Sequence, residues 1–287
     1  MITILSWNIQ NGQGVDGIVS LDRIANTILE MCDPDIICLQ EVSINCKLLD
    51  GSRPDQVKQL SNLFSDYKPF FGPAYDIQGD GGEGREKYGN LILSRVPVLS
   101  FFNHKLPRLV GSSIRQMPRQ LIEITVQTPL FPLCIMTTHL EYHSETQRYE
   151  QLKRILSINK EINNLTKFPP LFDTNGPYAK LERSNNFVIC GDFNFLPKSI
   201  EYDLLTSDKE NLEPLMDAWK LVNPNSTHTP TCGIFDKKQW REGPHCRDFA
   251  FISSNLKDNV DNIFVNVETD ASDHQPVILT LSNPNIL

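Results

Sequence analysis

Asp273-His274, four residues ahead of the apolar run Val277, Ile278 and Leu279, has three companions upstream. They are Trp7-Asn8, Gln40-Glu41 and Gly191-Asp192-Phe193-Asn194, and each follows a short β-type run. The runs are Ile2–Leu5, Asp35–Leu39 and Phe187–Cys190. One chain thus brings Asn, Glu, Asp, Asn, Asp and His to strand ends, where a rigid scaffold can aim them at one substrate. Hard oxygen donors with an imidazole form the set needed to hold Mg2+ and to attack a phosphate ester.

The elements that must position these residues are legible as patterns. Leu21, Ile24, Ala25, Ile28 and Leu29 recur at helical spacing behind Ser20, a good N-cap, and Pro34 follows. The reading is strand 2–8, helix 20–32, strand 35–41, and a second helix over 54–65. Strands are expected at 89–94 and 98–102, split by Pro97. Residues 79–88, glycine-rich with Arg85 and Lys87, read as a mobile loop near the site. A hairpin is expected from 121–127 and 133–139. Ser144-Glu145-Thr146-Gln147 matches a capping box opening a helix with Leu152, Ile155, Leu156 and Ile162 on its apolar stripe. Pro169, Pro170, Gly176 and Pro177 mark 165–186 as a surface insertion. After strand 187–190 come a short helix near 199–207, an irregular stretch over 221–246, and strands at 248–253, 261–267 and 276–281.

Asn8, Glu41, His139 and Asp192 fall at or just past the C-terminal ends of their strands, whereas Asp248 and Asp273-His274 sit at or before the starts of theirs. In a mainly antiparallel arrangement, ends of some strands and starts of others share one rim. All the candidates can converge there.

Because those residues run from Asn8 to His274, residues 1–287 are expected to form one domain. An apolar fraction of 40% and a charged fraction of 22% are ordinary for a globular chain. The net charge of −8 argues against broad coating of nucleic acid, which needs a basic face. It leaves a phosphate substrate open, since a bound divalent cation supplies the largest local positive charge. The seven cysteines form no evenly spaced framework and suggest free thiols in a reducing compartment. With no basic-then-apolar leader and no apolar run of spanning length, the expectation is a cytoplasmic protein without a transmembrane segment. It is expected to be a monomer.

With these residues in view, the chain resembles the endonuclease/exonuclease/phosphatase superfamily. The resemblance rests on Ser6-Trp7-Asn8, Leu39-Gln40-Glu41, Gly89-Asn90 through Leu93-Ser94-Arg95, Thr138-His139-Leu140, Gly191–Asn194, Arg247-Asp248 and Ser272–Pro276, in the family's order. It implies an α/β fold, a four-layer α/β sandwich with two central mixed, mainly antiparallel sheets flanked by helices. By the same resemblance Glu41 is the principal metal ligand with Asn8 beside it, and Asp273 assists the metal or the water. Asp192 orients or deprotonates the attacking water, Asn194 hydrogen-bonds the phosphoryl oxygens, and Asp248 holds the ring of His274. His139 matches the additional histidine of the deoxyribonuclease and sphingomyelinase branches. The expected cofactor is Mg2+, with Mn2+ as a substitute.

The expected activity is Mg2+-dependent hydrolysis of a phosphodiester, with a lean toward a nuclease. The substrate is nucleic acid, a nucleotide or a phospholipid head group, and sphingomyelinase-like, inositol phosphatase and nucleotide phosphatase readings stand as alternatives. Arg119 is similar to the phosphate-contacting arginine of the deoxyribonuclease branch. It closes a basic stretch with Lys105, Arg108 and Arg115, and Trp240 could stack on a base or touch a lipid. Bland readings stand beside these. Trp7 belongs in the core, His143 on the surface, and His228, Cys232, His245 and Cys246 in ordinary loop packing rather than around zinc. A catalytically silent binding module is the alternative outside enzymology, and it should have lost Glu41, Asp192, Asn194 or His274; none is missing.

Overall fold

Runs of Ile, Leu and Val alternate two faces along a strand, and here both faces are buried. In the computed structural model, which describes all residues except 80–83, 111–112, 130, 208–213 and 283–287, those runs form two six-stranded sheets. The first contains β1 (Ile2–Asn8), β2 (Ile36–Ile44), β3 (Lys68–Gln78), β4 (Arg85–Ser94), β11 (Val260–Val265) and β12 (Val277–Leu281), in the order β11-β12-β1-β2-β4-β3. The second contains β5 (Val98–Lys105), β6 (Gln120–Gln127), β7 (Pro132–His139), β8 (Phe187–Asp192), β9 (Met216–Asp217) and β10 (Asp248–Ile252), in the order β5-β6-β7-β8-β10-β9. Each has one parallel pair, β1–β2 and β7–β8, and is otherwise antiparallel.

The inward faces meet in one apolar layer. Ile4, Ile36, Cys38 and Ile92 of the first sheet pack with Ile122, Ile124, Ile135, Val188 and Cys190 of the second. Next-door residues point outward. Leu5, Trp7, Ile37 and Leu39 pack against Ile24 and Ile28 of α1 (Leu21–Met31) and Leu60 of α2 (Gln56–Leu63). Met136, Ile189 and Phe251 pack against Leu152, Ile155 and Leu156 of α3 (Glu145–Lys167) and Leu204 of α4 (Ile200–Thr206). The result is the four-layer sandwich, helix–sheet–sheet–helix. Each such buried Leu or Ile contributes roughly 1.5–3 kcal/mol.

The helix starts follow their caps: Ser20 Oγ accepts the Arg23 N–H, and Ser144 Oγ the Gln147 N–H. Two local readings change. Lys68–Gln78, whose Pro69 and Pro73 hide strand character, forms β3 at a sheet edge, where proline is tolerated. The expected loop over 79–88 is a hairpin arm from Arg85 onward, pinned by Arg85 Nε to Asp76 Oδ1 at 2.5 Å; residues 80–83 lie outside the described residues.

Candidate active site

Strand register assembles half of the site. His139 closes β7 directly opposite Asp192, the last residue of β8, and Asp192 faces Asp248, the first residue of β10. Three candidate side chains therefore stand abreast on neighbouring strands. In the other sheet Asn8 ends β1 opposite Gln40.

Two local distortions aim the acids. A bulge in β2 between Leu39 and Val42 puts Glu41 at φ 60°, in the left-handed region that bulky residues avoid. Without it, Glu41 would continue the sheet's alternation and face away from the rim. Gly191 has φ +139°, and a Cβ there would lie 2.0 Å from the Thr138 carbonyl oxygen. Only glycine lets β8 run this close to β7 and still present Asp192. Just past the strand Asn194 is held at φ 55°, its backbone N–H donating to Asp192 Oδ1 at 2.9 Å and its Nδ2 to the Leu140 carbonyl at 3.0 Å.

The two sheets are linked through Asn8. Its Nδ2 donates to Glu41 Oε1 at 3.2 Å and to Asp192 Oδ2 at 3.1 Å, while its Oδ1 accepts from Gln10 N–H. Asn8, expected beside the metal, is thus an amide bridge between two carboxylates. His139 stands between the same two acids, with Nε2 3.3 Å from Asp192 Oδ2 and Nδ1 3.8 Å from Glu41 Oε1. His274 Nδ1 lies 2.8 Å from Asp248 Oδ2, and its Nε2 lies 3.7 Å from Asp192 and 3.9 Å from Asp273. Trp7, in the core as expected, reaches over to donate its indole N–H to the His274 carbonyl.

Charge separates the two histidines. Burial holds His139 well below the usual imidazole range, and the neighbouring charges of Arg119 and His274 add to it. Burial would lower His274 too, but Asp248, Asp273 and Asp192 outweigh it and hold the ring well above its usual range. The two imidazoles are thus driven in opposite directions. Glu41, Asp192 and Asp273 are all raised, first by burial and then by neighbouring acids: Asp273 acts on Glu41, and Asp248 on Asp192.

Such mutually raised carboxylates are a donor set that a hard divalent cation would relieve. Among the described residues, Asp192, Asp248 and His274 also bring ligand atoms within 4.8 Å of one another. There both carboxylates flank the same imidazole ring, and Asp248 already engages its Nδ1.

The remaining expected residues fall as follows. Arg119 is buried, its Nε without a hydrogen bond among the described residues and 3.9 Å from Glu141 Oε2, and its charge acts on Glu41 and His139. Trp240 is 2% exposed and donates its indole N–H to Asp273 Oδ2 at 3.2 Å, with its ring edge-on to His274. It buttresses Asp273 from within the protein. Lys105 points elsewhere, to the carbonyls of Pro73 and Ala74, while Arg108 and Arg115 are exposed. His143 is on the surface. His228 pairs with Asp217 at 2.7 Å, and Cys232 with His245 at 3.2 Å, so the four loop residues are packed among protein partners. Sequence reasoning missed Gln239, which also donates to Asp273 Oδ2, and Thr231, which bonds Asp248. Both lie in irregular segments, where no periodicity marks a residue.

A two-sheet sandwich with acids and histidines on one rim defines a class of hydrolase, and the comparisons agree. The Endonuclease/Exonuclease/phosphatase family model matches residues 5–274, and the chain belongs to that family, whose members hydrolyse phosphate esters. The fold is shared with a family protein from Beutenbergia cavernae at 23% identity and TM-score 0.70, over 100% of this chain and 73% of that one. It is shared with the mannosyl-6-phosphatase of Bacteroides thetaiotaomicron at 18% identity and TM-score 0.66, over 99% and 100%. The catalytic domain of human Nocturnin gives 21% identity and TM-score 0.61, over 98% and 93%. No curated protein sequence matches the chain.

Proposed function

We propose that the chain is a Mg2+-dependent phosphodiesterase that catalyses attack of water on phosphorus. One observation carries the reading: the Asn8 amide ties Glu41 to Asp192 at 3.2 and 3.1 Å, so a cation-binding acid and a water-orienting acid share one hydrogen-bond donor across the two sheets. Glu41 and Asp273 would hold the Mg2+, with Mn2+ as a substitute and Asn8 alongside. When bound, the ion supplies Lewis-acid stabilisation of charge on the phosphoryl oxygens.

The chain's own groups do the rest. Asp192 orients the water and takes its proton, helped by its raised affinity for one. His274, cationic and aimed by Asp248, stabilises the charge that grows on the equatorial oxygens, and the Asn194 amide adds a neutral donor. His139, held neutral, donates its ring N–H to the leaving oxygen. Arg119 draws the substrate phosphate toward the Glu41 side of the site. Because the set draws on both sheets, we take the chain as one catalytic unit. We further propose a cytoplasmic monomer; no described helix is long and apolar enough to cross a membrane.

A phosphomonoesterase is the second reading. Arg119, buried with its charge acting on Glu41 and with an Nε that makes no hydrogen bond among the described residues, suits the extra charge of a terminal phosphate. A relative of like fold is a mannosyl-6-phosphatase. The test is hydrolysis with Mg2+, with and without EDTA, of bis-p-nitrophenyl phosphate, p-nitrophenyl phosphate, single- and double-stranded DNA, RNA, sphingomyelin and inositol phosphates. Diester cleavage lost with EDTA and in Asp192→Ala supports the proposal. Cleavage of monoesters alone selects the second reading, and EDTA-resistant cleavage overturns the metal assignment.

A further inference from the structure

Thr231 lies in the irregular stretch between α5 (Ala218–Val222) and β10, and no motif singles it out. Its side chain is buried, with its neighbour Cys232 bridged to both His245 and His274. The Thr231 carbonyl accepts the Gln275 N–H at 2.7 Å, fixing the residue against the segment that carries His274. The hydroxyl makes three bonds. It accepts the backbone N–H of Arg247 and of Asp248, each at 3.0 Å, and lies 2.6 Å from Asp248 Oδ2.

Direction follows from counting. A hydroxyl has two lone pairs and one proton; the two N–H groups occupy the lone pairs, so the proton goes to Asp248 Oδ2. That oxygen also takes His274 Nδ1 at 2.8 Å, while Asp248 Oδ1 has no hydrogen-bond partner among the described residues. The carboxylate thus hangs on two donors only, the threonine and the histidine it must aim.

We propose that Thr231 is a positioning residue of the active site, the outer member of a Thr231–Asp248–His274 line that fixes the imidazole toward the phosphate. It acts through Asp248 and touches no substrate. Without the hydroxyl, Asp248 rotates about its one remaining donor and His274 loses its aim, while substrate contacts through Arg119 and Asn194 stay. The inference rests on the proposed catalytic role of Asp248 and His274.

Two readouts test it. Thr231→Val keeps the shape and removes the proton together with the acceptor of the Arg247 and Asp248 N–H groups, and Thr231→Ser keeps both. With bis-p-nitrophenyl phosphate and Mg2+, Thr231→Val is expected to lower kcat on the order of tenfold with KM little changed, and Thr231→Ser to restore most of it. In an Asp248→Asn background the same change should add little, because the line is already cut. The second readout needs no substrate. The downfield ring-proton resonance of His274, identified by its loss in His274→Ala, should shift or broaden in Thr231→Val and persist in Thr231→Ser.

An unmoved resonance with full kcat in Thr231→Val overturns the proposal, as does a loss that the Ser variant fails to recover. A moved resonance in an enzyme inactive on every phosphate ester keeps the Thr231 assignment and sinks the phosphodiesterase reading. Should Thr231→Val fail to fold by circular dichroism, Thr231→Ala carries the same two measurements.

Discussion

The rim that carries the acids and the segment 168–186 obey opposite rules. At the rim, polar and charged groups are buried: Asn8, Asp192, Asn194, Asp248, Asp273 and His274 are all shielded, and Glu41 and Asn194 sit at positive φ. Along 168–186 the apolar side chains face water, with Leu171 fully exposed and Tyr178 76% exposed. One region concentrates strain and desolvated charge inside the sandwich, and the other leaves greasy surface outside it. The lesson is that stability and function are separated in space. The sheets and helices stabilise the molecule, and that surplus offsets the unfavourable rim.

The sharpest way to break the contrast is Glu41→Gln. Turnover in Mg2+ should fall by roughly a thousandfold or more. Melting measured in EDTA should rise, because the variant removes a charge disfavoured first by burial and then by repulsion from Asp273. A variant that melts lower and stays active would end the claim that the rim is strained for function.

His274→Ala is next. Its kcat should drop roughly a hundredfold to ten-thousandfold with little change in KM, as for a group that acts in the transition state. An effect confined to KM would assign His274 to substrate binding instead.

Gly191→Ala separates backbone from chemistry. The methyl meets the Thr138 carbonyl at 2.0 Å, so the variant should lose roughly 4 kcal/mol in denaturant titration. A near-native midpoint would mean that β7 and β8 can part without harm.

Glu123 sharpens the comparison from the other side, since it is a buried charge used for anchoring. Burial alone would raise it, but hydrogen bonds from His104 and Arg183 outweigh burial and hold it below the usual carboxylate range. Arg183 binds both its oxygens, at 2.7 and 2.6 Å, and so pins the end of the 168–186 segment to β6. A depressed folded value stabilises the fold above the ordinary 4.5 and is lost as pH falls through the lower folded value. Glu123→Gln should lose roughly 3 kcal/mol at pH 7, leaving Arg183 with only the exposed Glu161 carboxylate as an anionic partner, and the gap to the parent should narrow in acid. A gap that widens as pH falls would refute the linkage.

The smallest effect belongs to Leu171→Ser, within about 0.5 kcal/mol of the parent with unchanged turnover. A larger loss would show that 168–186 is part of the fold's support rather than an addition to it.

Much of this was legible because periodicity and short motifs are local. Strands β1, β2, β7, β8 and β12 announce themselves in runs rich in Ile, Val and Leu and β10 in Phe249, Phe251 and Ile252, and Ser20 and Ser144 mark their helix starts. The strand-end positions of Asn8, His139 and Asp192 were readable in the same way. β3 was hidden, because Pro69, Gly72 and Pro73 carry turn chemistry that an edge position overrides. For Trp240 the sequence leaves anchoring its loop and touching a ligand equally open, and the ring is shut behind Asp273.

The sequence by itself determined which residues reach strand ends, and with them the class of chemistry, since strand period and residue type are properties of a few adjacent positions. What only the tertiary structure decided is how those residues meet. The register that sets His139, Asp192 and Asp248 abreast is one such fact, and the bulge that turns Glu41 is another. The Asn8 amide bridge and the Thr231 bond behind Asp248 belong with them. Each depends on groups brought together across the two sheets or across neighbouring strands, and contacts between positions far apart in the chain leave no trace in local pattern.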